Sequence, residues 1–159
     1  IGEIHICAAL THGNLDYDQF GFDSGVEFPP HNLQSKNLAK NIAFRDPFAG
    51  YVVDYREIAT TYLDRRYQHP NVFRGVFPAW DNTPRRKQGA IILRNSSPDE
   101  YERWLRAVLA DFTPFSTDEN LLFINAWNEW AEGNHLEPCL RWGRGYLEAT
   151  KRALEGRTA

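Results

Sequence analysis

Glu129 and Glu132 are the two residues whose type and spacing most directly suggest chemistry. They follow an apolar segment, residues 121–126, and lie three residues apart among the indoles of Trp127 and Trp130. Two neighbouring carboxyls in an apolar setting repel each other, so one can stay protonated near neutral pH while the other is charged. Glycoside chemistry uses such a pair, because one carboxyl protonates the leaving oxygen and another supports the charge at the sugar. The spacing leaves a structural interpretation equally open, in which both glutamates cap a following turn and the tryptophans fill the rim of the fold.

Three loops after predicted strands are dense in polar and aromatic side chains, and such loops carry the working residues of parallel α/β folds. Flat indole faces can cover the C–H faces of a sugar ring, while the polar groups can hold its hydroxyls or an anionic group. The predicted substrate contacts in these loops are Trp80, Asp81, Asn82, Arg85, Trp127, Asn128, Trp130, His135, Glu137, Glu27 and His31.

Several of these candidates also have a structural interpretation. Asp81 and Asn82 begin an Asp-Asn-Thr-Pro segment, and from the residues alone an ordinary turn is the simpler explanation. Glu27 ends a predicted strand, where an unpaired carboxylate would be costly, so it is either hydrogen-bonded to neighbours or directed to the site. His31 follows two prolines and is more typical of a structural or surface residue than of a catalytic one.

Two short motifs raise the question of a bound metal. The segment 135–139, His-Leu-Glu-Pro-Cys, is similar to part of the zinc deaminase pattern, but no further cysteine follows Cys139 to complete the ligand set. Asp16 and Asp18 have the Asp-x-Asp form that many nucleotide-sugar transferases use to bind a cation, since paired carboxylates suit a hard metal. Three-residue matches of this kind are common by chance, so the sequence predicts no metal and no cofactor.

The elements that must position these residues are four strands and three helices. Apolar segments rich in β-branched and aromatic residues predict strands at residues 4–10, 25–28, 72–77 and 121–126. Helices are predicted to start at Asp54 and at the N-cap Ser97, and a third to cover about residues 144–155. Strands alternating with helices predict an α/β fold with a parallel sheet, and residues 29–50 are predicted to form an ordered irregular insertion above it.

The chain has 159 residues and no methionine, and it leads almost directly into its first predicted strand. Four parallel strands form either a small open sheet or half of an eight-stranded (β/α)8 TIM barrel, which typically needs about 250 residues. The missing methionine and the abrupt start favour the half barrel. Such a half would be incomplete by itself, because it leaves two strand edges unpaired and the core open.

Composition excludes several functional classes. Eighteen Lys and Arg against 21 Asp and Glu give a net charge of −3, so no basic field is present to attract nucleic acid or an anionic membrane. No apolar run approaches the roughly 20 residues of a membrane helix. Cys7 and Cys139 fit no disulfide framework, and with no recognisable leader they predict a reducing, cytoplasmic compartment.

Five segments resemble the WbsX-like proteins of polysaccharide biosynthesis, which are similar to glycoside hydrolase family 99: residues 21–23, 26–31, 74–83, 124–133 and 135–138. They occur in the order that the family shows, and the fourth, Ile-Asn-Ala-Trp-Asn-Glu-Trp-Ala-Glu-Gly, is long and specific. The resemblance implies a sugar substrate and a (β/α)8 barrel of which this chain is the C-terminal half. It places residues 1–156 in the C-terminal part of a catalytic domain, followed by a tail at 157–159, and makes the N-terminal half of the barrel a partner.

The resemblance also implies roles for the two glutamates. In the hydrolase family the two Glu of an Asn-Glu-Trp-x-Glu-Gly motif are catalytic, and they match Glu129 and Glu132 here. By this resemblance, Glu132 is the general acid/base that protonates the leaving oxygen. Glu129 is the carboxylate that activates the 2-hydroxyl of the sugar, which gives a retaining reaction through an anhydro-sugar intermediate. The chain departs from the pattern at Cys139, where Asp is usual, and at Ala79, where Gly is commoner.

Three functions remain open, in order of preference. The first is retaining hydrolysis or transglycosylation of an oligosaccharide or polysaccharide in cell-surface (O-antigen type) polysaccharide metabolism, with Glu129 and Glu132 as the carboxylate pair. The second is glycosyl transfer from a nucleotide-sugar donor, with a divalent ion at Asp16 and Asp18. The third is a non-catalytic module that binds glycan through three indoles, those of Trp80, Trp127 and Trp130.

Overall fold

The computed structural model describes residues 2–14 and 16–156, so the predicted tail at 157–159 lies outside the described residues. Over this range the chain forms a mixed α/β fold whose helices are α1 (Tyr55–Asp64), α2 (Pro98–Ala110) and α3 (Gly145–Glu155). The strands are β1 (Cys7–Leu10), β2 (Ser24–Glu27), β3 (Gly50–Asp54), β4 (Val72–Phe73), β5 (Gly75–Val76), β6 (Ala90–Arg94), β7 (Phe123–Ile124), β8 (Asn128–Glu129) and β9 (Asn134–His135).

The four predicted strands lie side by side in chain order and are parallel. β1 pairs with β2 and β2 with β4, while β5 pairs with β7. The predicted strand at 72–77 is divided at Arg74, whose carbonyl accepts a hydrogen bond of 3.0 Å from Phe123 N. A strand inside a sheet bonds to a neighbour on each side, and here β4 bonds to one neighbour and β5 to the other. The parallel α/β fold is confirmed, although β1 and β7 are shorter than predicted.

Two further strands, β3 and β6, lie outside the sequence predictions. They pair in parallel, with all five residues of each strand in register. β6 also holds the loop that follows β5, because Leu93 N donates a hydrogen bond of 2.8 Å to the Trp80 carbonyl. Both are short apolar runs, whose periodicity does not distinguish a strand from a buried helical segment. The insertion predicted at 29–50 is irregular except for a 3-10 turn at Ala39–Asn41.

The predicted helix starts are confirmed by their caps. The Asp54 carboxylate accepts a hydrogen bond of 2.8 Å from Arg56 N, and Ser97 Oγ accepts one of 3.3 Å from Glu100 N. Each cap satisfies a backbone N–H that has no partner inside the helix. No helix within the described residues is both long and apolar enough to cross a membrane.

The core lies between the helices and one face of the sheet, and Trp104 of α2 is at its centre. The Trp104 ring packs against three other buried aromatic rings at centroid distances of 5.4–5.8 Å, those of Tyr55, Tyr62 and Phe77. Aromatic pairs at such distances contribute about 0.5–1.5 kcal/mol beyond their buried area. This packing fixes the end of the β5 strand, from which the loop at Trp80 leaves.

The other face of the central sheet is exposed at its two edge strands, whereas β4 and β5 between them are buried on both faces. In β1, Ala8 and Leu10 are buried, whereas Cys7 and Ala9 on the opposite face are exposed. Phe123 of β7, at the other edge, is 40% exposed. The described residues form no closed barrel, so the predicted half barrel is not confirmed by the fold.

Candidate active site

The two candidate carboxylates lie on a small hairpin that follows β7. β8 and β9 pair antiparallel around a 3-10 turn at Trp130–Glu132. The base of the hairpin is closed by Leu136 N, which donates a hydrogen bond of 2.9 Å to the Trp127 carbonyl. Asn134 is fully buried and donates a hydrogen bond of 2.8 Å to the Asn125 carbonyl, which fastens the hairpin to the end of β7.

Gly133 allows this hairpin to meet the loop that follows β5. Its φ is +57°, a left-handed conformation that glycine adopts without a steric cost. A Cβ at this position would lie 3.3 Å from three atoms of Asp81. The neighbouring Glu132 carbonyl accepts a hydrogen bond of 2.7 Å from Asp81 N. The loops after β5 and β7 are therefore joined beside the carboxylates.

The environments of Glu129 and Glu132 differ. The Glu132 side chain is 14% exposed and forms an ion pair with the Arg85 guanidinium. Glu129 is exposed, and its carboxyl makes no hydrogen bond or ion pair with the described residues. A guanidinium in contact with a carboxyl favours its charged form. The apolar setting that the sequence predicts for this pair is thus absent: one carboxyl is solvated and the other is held by a cation.

Glu137 orders the indole that flanks this pair. One of its carboxylate oxygens, Oε2, accepts hydrogen bonds of 3.0 Å from both Asn128 Nδ2 and Trp130 Nε1. The Trp130 ring in turn lies 4.1 Å from the His135 ring, with an angle of 32° between the planes. Burial lowers the pKa of His135, against an opposing influence of Glu137, so this imidazole is neutral at neutral pH.

The three predicted indoles are not equivalent. Trp127 and Trp130 are 54% and 51% exposed, so a sugar ring can reach both indoles, while His135 covers one face of Trp130. Trp80 is only 7% exposed and belongs to the hydrophobic core. An open platform of all three indoles, as in the predicted binding module, is not formed.

The turn interpretation describes Asp81 and Asn82 well. Asp81 Oδ1 accepts hydrogen bonds from Thr83 N at 3.0 Å and from Thr83 Oγ1 at 2.7 Å. Asn82 is 2% exposed, and its side-chain oxygen accepts a hydrogen bond of 2.7 Å from Ile91 N. Both residues therefore hold the loop that carries Arg85 to Glu132.

For Glu27 the structure favours the hydrogen-bonded alternative. It is 2% exposed, and its carboxylate accepts hydrogen bonds of 2.7 Å from the Tyr67 hydroxyl and 2.9 Å from Gly75 N. Arg74 Nε lies 3.4 Å from the carboxylate. Burial raises the pKa of Glu27, and Arg74 opposes this shift. The group connects β2 with β4 and β5 in the interior.

His31 lies at the same end of the sheet as the carboxylates. Asn125 Nδ2 donates a hydrogen bond of 2.7 Å to the Pro29 carbonyl, which joins the loop after β2 to the end of β7. The His31 carbonyl accepts a hydrogen bond from the Tyr62 hydroxyl, and the His31 ring lies 5.3 Å from the His12 ring. Burial, with a smaller effect of His12, lowers the pKa of His31.

Asp16 and Asp18 are at a different place. Asp16 Oδ1 lies 3.2 Å from His69 Nε2 and accepts a hydrogen bond of 3.1 Å from Asp18 N. His69 precedes β4, so this pair lies where the strand begins, whereas the carboxylates follow the end of a strand. Within residues 2–14 and 16–156, no group of three or more His, Cys, Asp or Glu is arranged to hold a metal ion.

Two aromatic residues near the site are absent from the sequence-based candidates. Tyr146, which lies within the helix predicted at about residues 144–155, and Trp142 line a cavity together with Trp130 and His135. The available signal was weak, because a tyrosine on a buried stripe is most often a core residue whose hydroxyl has found a partner.

The comparisons with known proteins agree with the motif-based resemblance. The sequence profile of the family described as "Glycosyltransferase WbsX" matches residues 1–150. Two relatives from two strains of Xanthomonas campestris pv. campestris, each described as "Uncharacterized protein WxcX", are 39% identical over 156 residues. The match covers 97% of this chain and 22% of each relative, so the chain spans about a fifth of their length. No solved structure matches. The chain belongs to the glycosyltransferase WbsX family.

Proposed function

We propose that this chain is part of a carbohydrate-active enzyme that cleaves or transfers glycosidic bonds in cell-surface polysaccharide (O-antigen type) metabolism, with a retaining mechanism. The observation that carries the proposal is the hairpin after β7. It presents Glu129 and Glu132 from one 3-10 turn, beside two half-exposed indoles, at the end of a parallel strand. That is where parallel α/β enzymes place their working residues.

The proposal includes the larger architecture. Residues 1–156 are proposed as the C-terminal half of a (β/α)8 catalytic domain, and an N-terminal half from the same protein as its partner. Four parallel strands that follow one another in chain order support this, since a (β/α)8 barrel has the same arrangement. The exposed residues Cys7, Ala9 and Phe123 on the two edge strands support it as well, because the missing strands would cover them.

The proposed reaction has two steps. In the first, Glu129 takes the proton of the sugar 2-hydroxyl, and the 2-oxygen attacks C1. The C1–oxygen bond to the leaving group breaks, and the leaving oxygen takes a proton from Glu132. In the second, water or an acceptor hydroxyl attacks C1 and gives its proton to Glu132, while the 2-oxygen regains a proton from Glu129. Two inversions at C1 retain the anomeric configuration, and no metal or cofactor is needed.

Arg85 places a condition on this reaction. A general acid must hold a proton, whereas the ion pair with Arg85 favours the charged form of Glu132. The Arg85 side chain is 49% exposed and leaves from a turn, so it has room to move. In the proposed order of events, a bound glycan first separates Arg85 from Glu132, and the Glu132 carboxyl then takes up a proton.

The description of the family as a glycosyltransferase favours a second candidate, transfer of a sugar from a nucleotide-sugar donor. In that reaction the acceptor is a hydroxyl of the growing glycan, and the exposed faces of Trp127 and Trp130 suit its sugar rings. A cation at Asp16 and Asp18 would lie beside the beginning of β4. A cytoplasmic location belongs to either candidate and rests on the two unpaired cysteines.

The test follows anomeric proton signals by NMR while the complete protein acts on a panel of α-linked oligosaccharides. The expected result is turnover with retained configuration in the wild type, lost in Glu129→Gln and in Glu132→Gln. Glu148→Gln is the matched control, since Glu148 is an exposed carboxyl on α3. Product of inverted configuration would contradict the mechanism. Turnover that requires an added nucleotide sugar would favour the second candidate.

A further inference from the structure

A cavity of about 380 Å³ lies behind the carboxylate-bearing hairpin. Its walls come from the loop after β5, from β6, from the hairpin itself and from the start of α3. Five rings form much of the surface, those of Trp80, Trp130, His135, Trp142 and Tyr146. Gly133 also lines the cavity, so the cavity adjoins the turn that carries Glu132. Another cavity, of about 280 Å³, lies beside the beginning of β4 and is separate from these residues.

Polar groups without partners are concentrated around the first cavity. Among the described residues, six carry a buried side-chain nitrogen or oxygen with no hydrogen-bond partner. Three of the six, Trp80, His135 and Tyr146, line this cavity. The atoms concerned are Trp80 Nε1, both ring nitrogens of His135 and the Tyr146 hydroxyl. Trp80 and Tyr146 are 7% and 3% exposed, so the atoms in question face the cavity rather than the outer surface of the protein.

Unpaired buried polar groups destabilise a fold, and most native proteins avoid them. Such groups are expected at functional sites, where a ligand can supply the missing partners. Three such residues around one cavity therefore indicate a ligand site more strongly than any of them alone. The remaining three, Ser35, Trp104 and Asn134, do not line it.

The chemistry of these groups defines the ligand. Trp80 Nε1 can only donate a hydrogen bond, while the Tyr146 hydroxyl can donate and accept. Burial lowers the pKa of His135 and raises that of Tyr146, so both side chains are neutral at neutral pH, and the imidazole offers one donor and one acceptor. Two charged residues also line the cavity, and both already have a partner: Asp81 accepts from Thr83, and the Arg141 guanidinium lies 4.8 Å from the ring centre of Trp142.

We propose that this cavity binds one neutral pyranose unit of the glycan, with sugar hydroxyls as partners of Trp80, His135 and Tyr146. A pyranose combines apolar C–H faces, which suit the surrounding indoles, with hydroxyls that both donate and accept. The inference rests on the proposed function for its choice of ligand. It makes the cavity a sugar subsite next to the carboxylate pair, with Trp130 and His135 forming the wall between them.

Tyr146→Phe tests the subsite, because it removes only the hydroxyl. The complete protein is titrated in a calorimeter with methyl α-D-glucopyranoside, methyl β-D-glucopyranoside and methyl α-D-mannopyranoside. We expect at least one to bind the wild type at millimolar concentration and to bind Tyr146→Phe about tenfold more weakly. The melting temperature of the variant should stay the same or rise, since an unpaired buried hydroxyl is removed. Cyclohexanemethanol, which keeps the ring but has a single hydroxyl, should not bind.

Tyr101→Phe is the matched control. The Tyr101 hydroxyl pairs with Thr150 Oγ1 at 3.0 Å, and its ring lies 5.7 Å from that of Tyr146. This variant should lower the melting temperature and leave pyranoside affinity unchanged, the opposite of the expectation for Tyr146→Phe.

Three outcomes would overturn the subsite: no pyranoside binding, equal binding by Tyr146→Phe, or equal binding of cyclohexanemethanol. These outcomes are distinct from failure of the proposed reaction. Pyranoside binding that depends on Tyr146, with no turnover of any glycan, would keep the subsite and remove the reaction. Turnover with no effect of Tyr146→Phe on pyranoside binding would keep the reaction and remove the subsite.

Discussion

Glu27 and Glu132 are two of the carboxylates that pair with an arginine in this structure, and they illustrate how the surroundings decide what such a pair does. Glu27 has a fully buried side chain and accepts hydrogen bonds from Tyr67 and Gly75 in addition to its contact with Arg74. Glu132 is 14% exposed, and its arginine, Arg85, is 49% exposed on a loop. The Glu27 carboxylate is enclosed and connects strands, and its partner Arg74 is only 24% exposed. The Glu132 pair borders solvent, so a ligand can reach it and separate its members.

The largest expected effect comes from removing the Glu27 carboxylate. Glu27→Ala leaves Arg74 without its carboxylate and the Tyr67 hydroxyl and Gly75 N–H without their acceptor. We expect the free energy of unfolding to fall by about 3–5 kcal/mol, the range for removal of one partner of a buried ion pair. Chemical denaturation of the complete protein measures this. Glu148→Ala, at an exposed position, should stay within about 0.5 kcal/mol of the wild type. A similarly small effect of Glu27→Ala would show that this network does not stabilise the sheet.

Arg85→Gln tests the second pair, Glu132 with Arg85. Without the guanidinium, the charged form of Glu132 is less favoured, so its acid form should persist to higher pH. The alkaline limb of the pH–kcat/KM profile should move up by about one pH unit, with little change in stability because the pair borders solvent. Arg86→Gln is the control, since Arg86 is exposed and forms no ion pair with the described residues. An unchanged or lowered alkaline limb would contradict the condition that Arg85 places on the reaction.

The smallest expected effect concerns Glu137. Glu137→Gln replaces an oxygen that accepts from Asn128 and Trp130, and the amide cannot accept as strongly as the carboxylate. Loss of about 1 kcal/mol of hydrogen bonding should loosen the Trp130 indole. KM should therefore rise about fivefold with kcat nearly unchanged, measured on the same glycan as the wild type. A fall in kcat at constant KM would instead place Glu137 at the reacting atoms.

Much of the fold could be predicted because local patterns and tertiary packing agree. The caps at Asp54 and Ser97 and the order of the four parallel strands are examples. β3 and β6 could not be predicted, because each is a short apolar run that ends in a charged residue, and its strand character depends on pairing with the other. The site divides in the same way. The Glu129 and Glu132 motif and the turn at Asp81 could be predicted from the sequence, while the partner of Asn82, Ile91 N of β6, could not.

By itself, the sequence determined the family, the parallel α/β class and the segment that carries the paired glutamates. These follow from residue types at short spacing, and such local patterns do not depend on contacts between distant parts of the chain. Tertiary structure alone decided that Arg85 pairs with Glu132 across 47 positions of the chain, and that Glu27 is buried against Arg74 and Gly75. It also decided that Trp80, His135 and Tyr146 share one cavity. Charge state, burial and unpaired polar atoms depend on neighbours that folding brings together, and these neighbours cannot be predicted from local sequence spacing.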